Sequence, residues 1–270
     1  MTVAFSGTFG YLLAPIDHKP LGIFLISLAG FVLTGAANIV NQLKEIEFDK
    51  LMKRTAQRPL PTEALTPAQA RNFGYVLAVI AIGLLSYFTW KAALVGLLSY
   101  ILYGYVYTPL KRVGPISVFV GAFPGAFPPM IGWVAATGHF GWEPGILFAI
   151  QFFWQFPHFW AIAWVSHEDY NRGGYKLLPF NGMPDKKTAF QIMVYSFFLI
   201  PVSLLPWTLP LETPMVGDLA AVIVSAAGIF MSFLGYNLFK EPSLLNARRV
   251  MFASFFYLPI VQIAYVIDKI

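Results

Sequence analysis

The sequence predicts an all-α, polytopic transmembrane helix bundle. Three observations lead there. The chain of 270 residues is 57% hydrophobic and 11% charged, whereas water-soluble domains carry about 25% charge. Apolar runs long enough to cross a hydrocarbon core of about 30 Å recur from end to end. The remaining charges gather in a few short polar segments between those runs. In such a bundle most side chains face lipid or another helix, and every backbone polar group is satisfied within the helix.

Taken in order, full spans are expected near 20–40, 70–89, 92–108, 115–136, 144–165, 188–208, 217–239 and 247–267. A shorter apolar piece, Val3 to Ala14, precedes them. At about 1.5 Å per residue it is too short to cross alone, and it reads as the second half of a span. It lacks the basic start of a signal peptide. No linker, low-complexity tract or second domain interrupts 1–270, so one membrane domain is expected. Cysteine is absent, which excludes disulfides, thiolate zinc sites and a cysteine nucleophile.

The net charge of +5 reports topology rather than nucleic-acid binding. If the spans alternate, segments 41–69 with Arg71, 109–114, 166–187 and 240–249 share one side. They hold all but Lys19, Lys91 and Lys269 of the 18 basic residues. The positive-inside rule assigns that side to the cytoplasm. Both acidic clusters fall there.

The first cluster runs from Asn38 to Pro59. Asn41, Glu45 and Asp49 are spaced i, i+4, i+8, so a helix puts them on one face. Arg54 and Arg58 follow, four apart. Oxygen ligands beside paired arginines suit Mg²⁺ carrying a diphosphate. Ionisable groups next to a membrane span are costly, and function is their default explanation. Glu47 lies off the shared face and is either supporting or simply solvated. The second cluster, Ser166 to Pro179, contains Glu168, Asp169 and Arg172. Adjacent acids diverge by about 100° on a helix, so one faces a metal while the other faces solvent or a base. Gly173 and Gly174 permit a tight reversal. Two such clusters together suit ionisation of an allylic diphosphate, in which neutralising the leaving group's charge is the task. An aromatic-rich apolar cavity then accepts the carbocation.

Three further features leave alternatives open. Tyr103 and Tyr107 stack at i, i+4 above Lys111 and Arg112; they form either an interfacial belt or extra bases for an anionic substrate. Gln151, Gln155 and His158 share one apolar span. Spacing favours an interhelical hydrogen-bond patch, with a haem contact through His158 as the alternative. Gly121 to Pro129 is expected to break its helix and free backbone carbonyls, either lining a cavity or making a packing kink.

At Asn38–Pro59, Tyr107–Arg112, Gly121–Gly138, Trp154–Trp160, Glu168–Pro179 and Ala247–Pro259 the chain resembles the UbiA-type intramembrane prenyltransferases. The Pro157-His158-Phe159-Trp160 and Asp169-Tyr170…Leu178-Pro179 stretches are similar to the family's haem branch. The resemblance implies nine helices around a central cavity, the first truncated here, in the inner membrane of a bacterium. It implies farnesyl transfer from farnesyl diphosphate to the 2-vinyl group of haem B with addition of water, and Mg²⁺ as cofactor. A haem A synthase acting next is an implied partner. By position, Asn41, Glu45 and Asp49 stand at the first Mg²⁺-diphosphate motif and Glu168 and Asp169 at the second. Arg54, Arg58, Lys111 and Arg112 are the expected diphosphate ligands, and His158 is a candidate haem contact. Glu45, Glu47 and Glu168 replace the family's usual aspartates, adding a methylene to each carboxylate.

Competing functions remain prenylation of a quinone precursor or other aromatic acceptor, and, from another class, a secondary transporter or a non-catalytic haem-binding subunit. Broken spans suit a transporter. Acids and bases concentrated at one rim suit the enzyme.

Overall fold

A computed structural model describes residues 2–209 and 214–270, with side chains from Phe5 onward. Among these residues there are helices and a single isolated β-bridge. In chain order the helices are α1 (Thr2–Leu13), α2 (Pro20–Asp49), α3 (Pro67–Phe88) and α4 (Trp90–Ile101). A π-helical stretch (Leu102–Tyr107) and α5 (Thr108–Leu110) continue α4 as one rod. Then follow α6 (Ile116–Thr137), α7 (Trp142–Val165), α8 (His167–Arg172), α9 (Lys186–Thr208), α10 (Asp218–Lys240) and α11 (Leu244–Ile267). Eight of these units are long and apolar enough to cross a membrane, and they coincide with the eight spans expected from the sequence. The connection expected at 209–217 falls partly outside the described residues.

The helix ends follow local chemistry. Pro20 and Pro67 open α2 and α3, where a missing N–H costs nothing. Thr66 and Gln69 form a capping box at the start of α3, and Asp185 and Ser243 cap α9 and α11. Gly138 ends α6 at φ 73°, a conformation that favours glycine.

Two apolar cores share α6. One joins α2, α3, α4 and α6 through Ile26, Leu85, Val95 and Ile131. The other joins α7, α9, α10 and α11 through Trp154, Ile192, Met231 and Leu258. Helix α1 packs across α6 and also touches α2 and α11. Glycine is what lets α1 and α6 meet: a Cβ at Gly132 would collide with the backbone carbonyl of Gly7, and one at Gly10 with that of Pro129.

The stretch Gly121–Pro129 corrects an expectation. Helix α6 does not break there; it runs unbroken past Pro124, Pro128 and Pro129. The freed carbonyls are nonetheless real. A proline at position i cannot bond the carbonyl at i−4, so Pro128 and Pro129 release those of Pro124 and Gly125. Ser99 donates to the Pro124 carbonyl at 3.1 Å, and Gln151 Nε2 to the Gly125 carbonyl at 2.6 Å. Side chains from neighbouring helices thus satisfy the prolines' orphans and hold the rod together.

The 30 residues of α2 span roughly 45 Å at 1.5 Å per residue. That exceeds the bilayer core of about 30 Å. Its last turns, with Asn41, Glu45 and Asp49, therefore project beyond the apolar layer at one rim of the bundle.

Candidate functional site at the rim of an apolar cavity

One face of α2 does two jobs. Its lower turns present Ile26, Gly30, Leu33, Thr34, Ala37 and Asn38 to a cavity of about 250 Å³. Asn41, Glu45 and Asp49 continue that face upward and are buried. Thus the predicted i, i+4, i+8 ladder exists, and it stands over the cavity. The opposite cavity wall comes from Tyr103, Tyr107, Gly121, Pro124 and Phe159.

Each ladder residue is held by a group from another segment. Asn41 Nδ2 donates to Glu45 at 2.8 Å and to Thr108 Oγ1 at 3.2 Å. Lys111 Nζ lies 2.9 Å from the Glu45 carboxylate. Arg58 donates to Asp49 Oδ2 at 2.8 Å. Thr55 Oγ1 donates to the Asp49 carbonyl at 3.0 Å and closes the turn beyond α2. Even so, Asp49 Oδ1 is buried without a hydrogen bond, whereas Glu45 Oε1 faces the Lys111 ammonium at 2.9 Å. A buried carboxylate oxygen left short of donors is costly. Lone pairs kept in that condition suit a hard cation that takes oxygen ligands.

The π-helical stretch sets Lys111. Thr108 Oγ1 donates to the Tyr103 carbonyl at 2.8 Å, five residues back, and Pro109 supplies no N–H. Such insertions re-aim the side chains that follow. Tyr103 and Tyr107 rings lie 5.3 Å apart, as their spacing predicts. Lys111 Nζ sits 5.2 Å above the Tyr107 ring and 5.5 Å from that of Tyr175. Arg112 is exposed and stacks on Phe48 at 4.9 Å.

The second cluster reaches the first through backbone. Asp169 Oδ1 accepts from the Lys53 N–H at 2.8 Å and Oδ2 from the Arg54 N–H at 3.3 Å. Asp169 therefore fastens the 50–58 turn, with Arg172 3.9 Å away. Glu168, on the adjacent position, is exposed, as the divergence of neighbouring helical residues requires. The five expected metal ligands are not gathered into one cage: among the described residues no three carboxylates or histidines are grouped for a metal. Glu47 is solvated and pairs with Lys50.

Arg54 and Arg58, four apart in sequence, part company. Arg58 turns to Asp49, whereas Arg54 faces the Tyr170 ring at 5.8 Å and lines a second cavity of about 410 Å³ with Leu177, Met251 and Phe255. The two cavities share Tyr107, Gly121 and Phe159, so they adjoin beneath the rim.

The polar patch on α7 is interhelical, as spacing favoured. Gln155 donates to the Ala122 carbonyl at 2.8 Å, and Gln262 to Gln151 at 3.1 Å. His158 Nδ1 pairs with Ser254 Oγ at 2.7 Å, and the ring stacks on Trp154 at 4.4 Å. His158 lines neither cavity; its neighbours Phe159 and Phe255 do.

Tyr175 and Thr108 are site residues to which sequence reasoning gave no role. Gly174 at φ 74° turns the chain, and the Tyr175 N–H bonds the Tyr170 carbonyl at 2.9 Å. The reversal buries the Tyr175 side chain beside Glu45 and Asp49, with its hydroxyl turned to the Glu45 carboxylate. Burial first, then the two carboxylates, holds this phenol well above its usual range, as a neutral O–H. The glycine pair was the available signal; what it turned toward the acids was not readable.

A membrane-embedded helical bundle with paired acids and bases at one rim, over an apolar aromatic cavity, defines an intramembrane enzyme class for lipid-tailed, charge-headed substrates. The chain belongs to the UbiA prenyltransferase family, whose model matches residues 3–258. It is 52% identical over its whole length to a protoheme IX farnesyltransferase of Cytophaga hutchinsonii, covering 93% of that protein. It is 42% identical to that of Christiangramia forsetii, covering 89%. Among solved structures, a digeranylgeranylglyceryl phosphate synthase superposes with TM-score 0.80 at 20% identity, over 99% of this chain and 92% of the other. A UbiA homologue from Archaeoglobus fulgidus bound to GPP and Mg²⁺ gives 0.72 at 15% identity, over 98% and 94%. At those identities the structures speak for the fold.

Proposed function

We propose that the protein transfers farnesyl from farnesyl diphosphate to the 2-vinyl group of haem B, with addition of water, giving haem O and diphosphate. The chemistry named for its full-length relatives supports this. The observation that carries it is the buried pair of carboxylates Glu45 and Asp49, the latter with one oxygen left without a hydrogen bond, set over an aromatic cavity and paired with Lys111 and Arg58.

Mg²⁺ fits this donor set. Asn41, Glu45 and Asp49 would hold it, while Asp169 serves through the turn it fastens beside them and Glu168 faces solvent. Bound there, it would neutralise diphosphate charge and make it a better leaving group. Arg58 and Lys111, each paired to a carboxylate before substrate arrives, are placed to exchange that partner for phosphate oxygens, and Arg54 and Arg112 add charge at the mouth. The farnesyl chain lies in the cavity under the ladder, where water is excluded. As the C1–O bond breaks, the faces of Tyr103, Tyr107 and Phe159 stabilise the allylic cation. The vinyl π electrons close the new carbon–carbon bond at C1. Water adds to the resulting cation beside the porphyrin ring, and its proton leaves with the diphosphate.

Haem is assigned to the adjoining cavity, where Arg54 meets an anionic propionate. His158, bonded to Ser254 and stacked on Trp154, stands behind Phe159 and Phe255, which line that cavity, and is assigned no direct haem contact. The protein works in a bacterial inner membrane with the acid-bearing rim in the cytoplasm, because basic residues crowd that rim. A haem A synthase would take the product. The test is incubation of purified protein with haem B, farnesyl diphosphate and Mg²⁺, with chromatography for haem O. Haem O formed by wild type and not by Asp49→Ala supports the reading; prenylation of a quinone precursor in its place would contradict it.

A further inference from the structure

A third pocket lies on the other side of α2, away from the acid ladder. We propose that it binds the anionic phosphate headgroup of a membrane phospholipid. It occupies about 150 Å³ between α2, α3 and the α4 rod. Two cations line it, Lys44 and Arg71, with three phenols, Tyr75, Tyr100 and Tyr105. Lys44 is the residue before Glu45, turned about 100° from it around the helix. The acids of α2 and this pocket are thus separate faces of one helix.

The donor set is one-sided. Neither Lys44 nor Arg71 joins a salt bridge among the described residues. Lys44 Nζ lies 4.8 Å over the Tyr105 ring. Tyr100 is 7% exposed, and its hydroxyl is buried against that of Tyr105. The phenols of Tyr105 and Tyr75 are its electrostatic neighbours. Two cations and a cluster of phenols without a carboxylate recognise an anion.

Position selects a lipid. Lys44 stands at the upper end of α2 and Arg71 in the opening turns of α3, both at the acid-bearing rim, where headgroups lie. Below them Val76, Val79 and Ile80 of α3 and Leu97, Leu98 and Ile101 of α4 expose an apolar wall suited to acyl chains. Basic pockets between transmembrane helices at this level are a known lipid-headgroup chemistry. Tyr100 also lines the cavity beneath the ladder, so it is the partition between lipid and substrate space.

The experiment uses delipidated full-length protein in neutral detergent, probed by native mass spectrometry and thermal melting. The probes are phosphatidylglycerol, phosphatidylcholine and inorganic phosphate. Phosphatidylglycerol is expected to bind and raise Tm, with phosphatidylcholine at least tenfold weaker. Lys44→Gln/Arg71→Gln is expected to weaken phosphatidylglycerol at least tenfold and leave prenyl-diphosphate affinity within twofold. Should the pair fold poorly, Arg71→Gln alone and Tyr100→Phe are each expected to weaken the lipid threefold or more. Equal binding of the two lipids, or unchanged binding by these variants, would overturn the proposal. Inorganic phosphate binding as tightly as the lipid would overturn the lipid assignment in favour of a free-anion site.

Discussion

The two ends of this bundle use charge in opposite ways. At the end away from the acids, Lys269 Nζ donates to the carbonyls of Leu12 and Ala14, at 3.2 and 2.6 Å, where α1 finishes. Lys91 donates to the Gly138 carbonyl at 2.8 Å, where α6 finishes. Asp268 accepts the Ala220 N–H at 2.6 Å near the start of α10. These three charges answer helix ends and their dipoles. The exception is His18 Nδ1, buried without a partner next to the lysine contact. At the acid-bearing end, charges meet charges across segments, and Asp49 Oδ1 is left buried without a partner. The first end is built for stability. The second keeps unsatisfied capacity, which a ligand can complete.

That contrast breaks most visibly at Asp49. Asp49→Asn keeps size and removes charge; haem O formation is expected to fall roughly 100-fold or more, with Tm in detergent unchanged or raised. A normal rate would erase the distinction between the two ends. Next in size is Arg58→Ala, which strands a buried carboxylate. Here both properties should suffer: a loss of about 2 to 3 kcal/mol in denaturant unfolding and a higher KM for the prenyl diphosphate.

Asp169→Asn sharpens the role of the second cluster. The 50–58 turn should loosen, giving faster hydrogen exchange at the Lys53 and Arg54 amides, with activity down about tenfold. If exchange stays the same while activity falls, Asp169 acts on the substrate and not on the turn. Lys269→Met is the mirror experiment at the stable end. It frees two carbonyls and should cost about 1 to 2 kcal/mol with kcat intact.

The smallest effect concerns pH at that same end. Burial first, then the neighbouring Lys269 charge, lowers the His18 pKa below its ordinary 6.5. The folded state therefore binds fewer protons than the unfolded state just below that value. Its contribution to stability is complete above pH 6.5 and declines as pH falls below it. His18→Gln should flatten this slope in a series of melts.

The fold was legible because lipid imposes a simple rule. Runs of apolar residues of set length must be helices, and all eight spans appear in their expected places. The ladder of Asn41, Glu45 and Asp49 was legible for the same reason, since helical period alone fixes its face. Partners across segments were not. Asp169 grips backbone N–H groups, and no side-chain pattern announces that. Arg54 and Arg58 separate because the chain turns after Asp49, ending the period that related them. The prolines of α6 misled in one respect: a lone helix would break there, but Ser99 and Gln151 from neighbouring helices satisfy the orphaned carbonyls and keep it whole.

The central claim is that the buried carboxylates on α2, with Asp49 Oδ1 left without a hydrogen bond, make diphosphate recognition depend on a divalent cation. Calorimetric titration of farnesyl diphosphate into the purified protein, with and without Mg²⁺, reads this directly. The account predicts binding at least tenfold tighter with Mg²⁺ in the wild type, and little difference in Asp49→Asn. Equal affinity with and without the ion in the wild-type protein would contradict it.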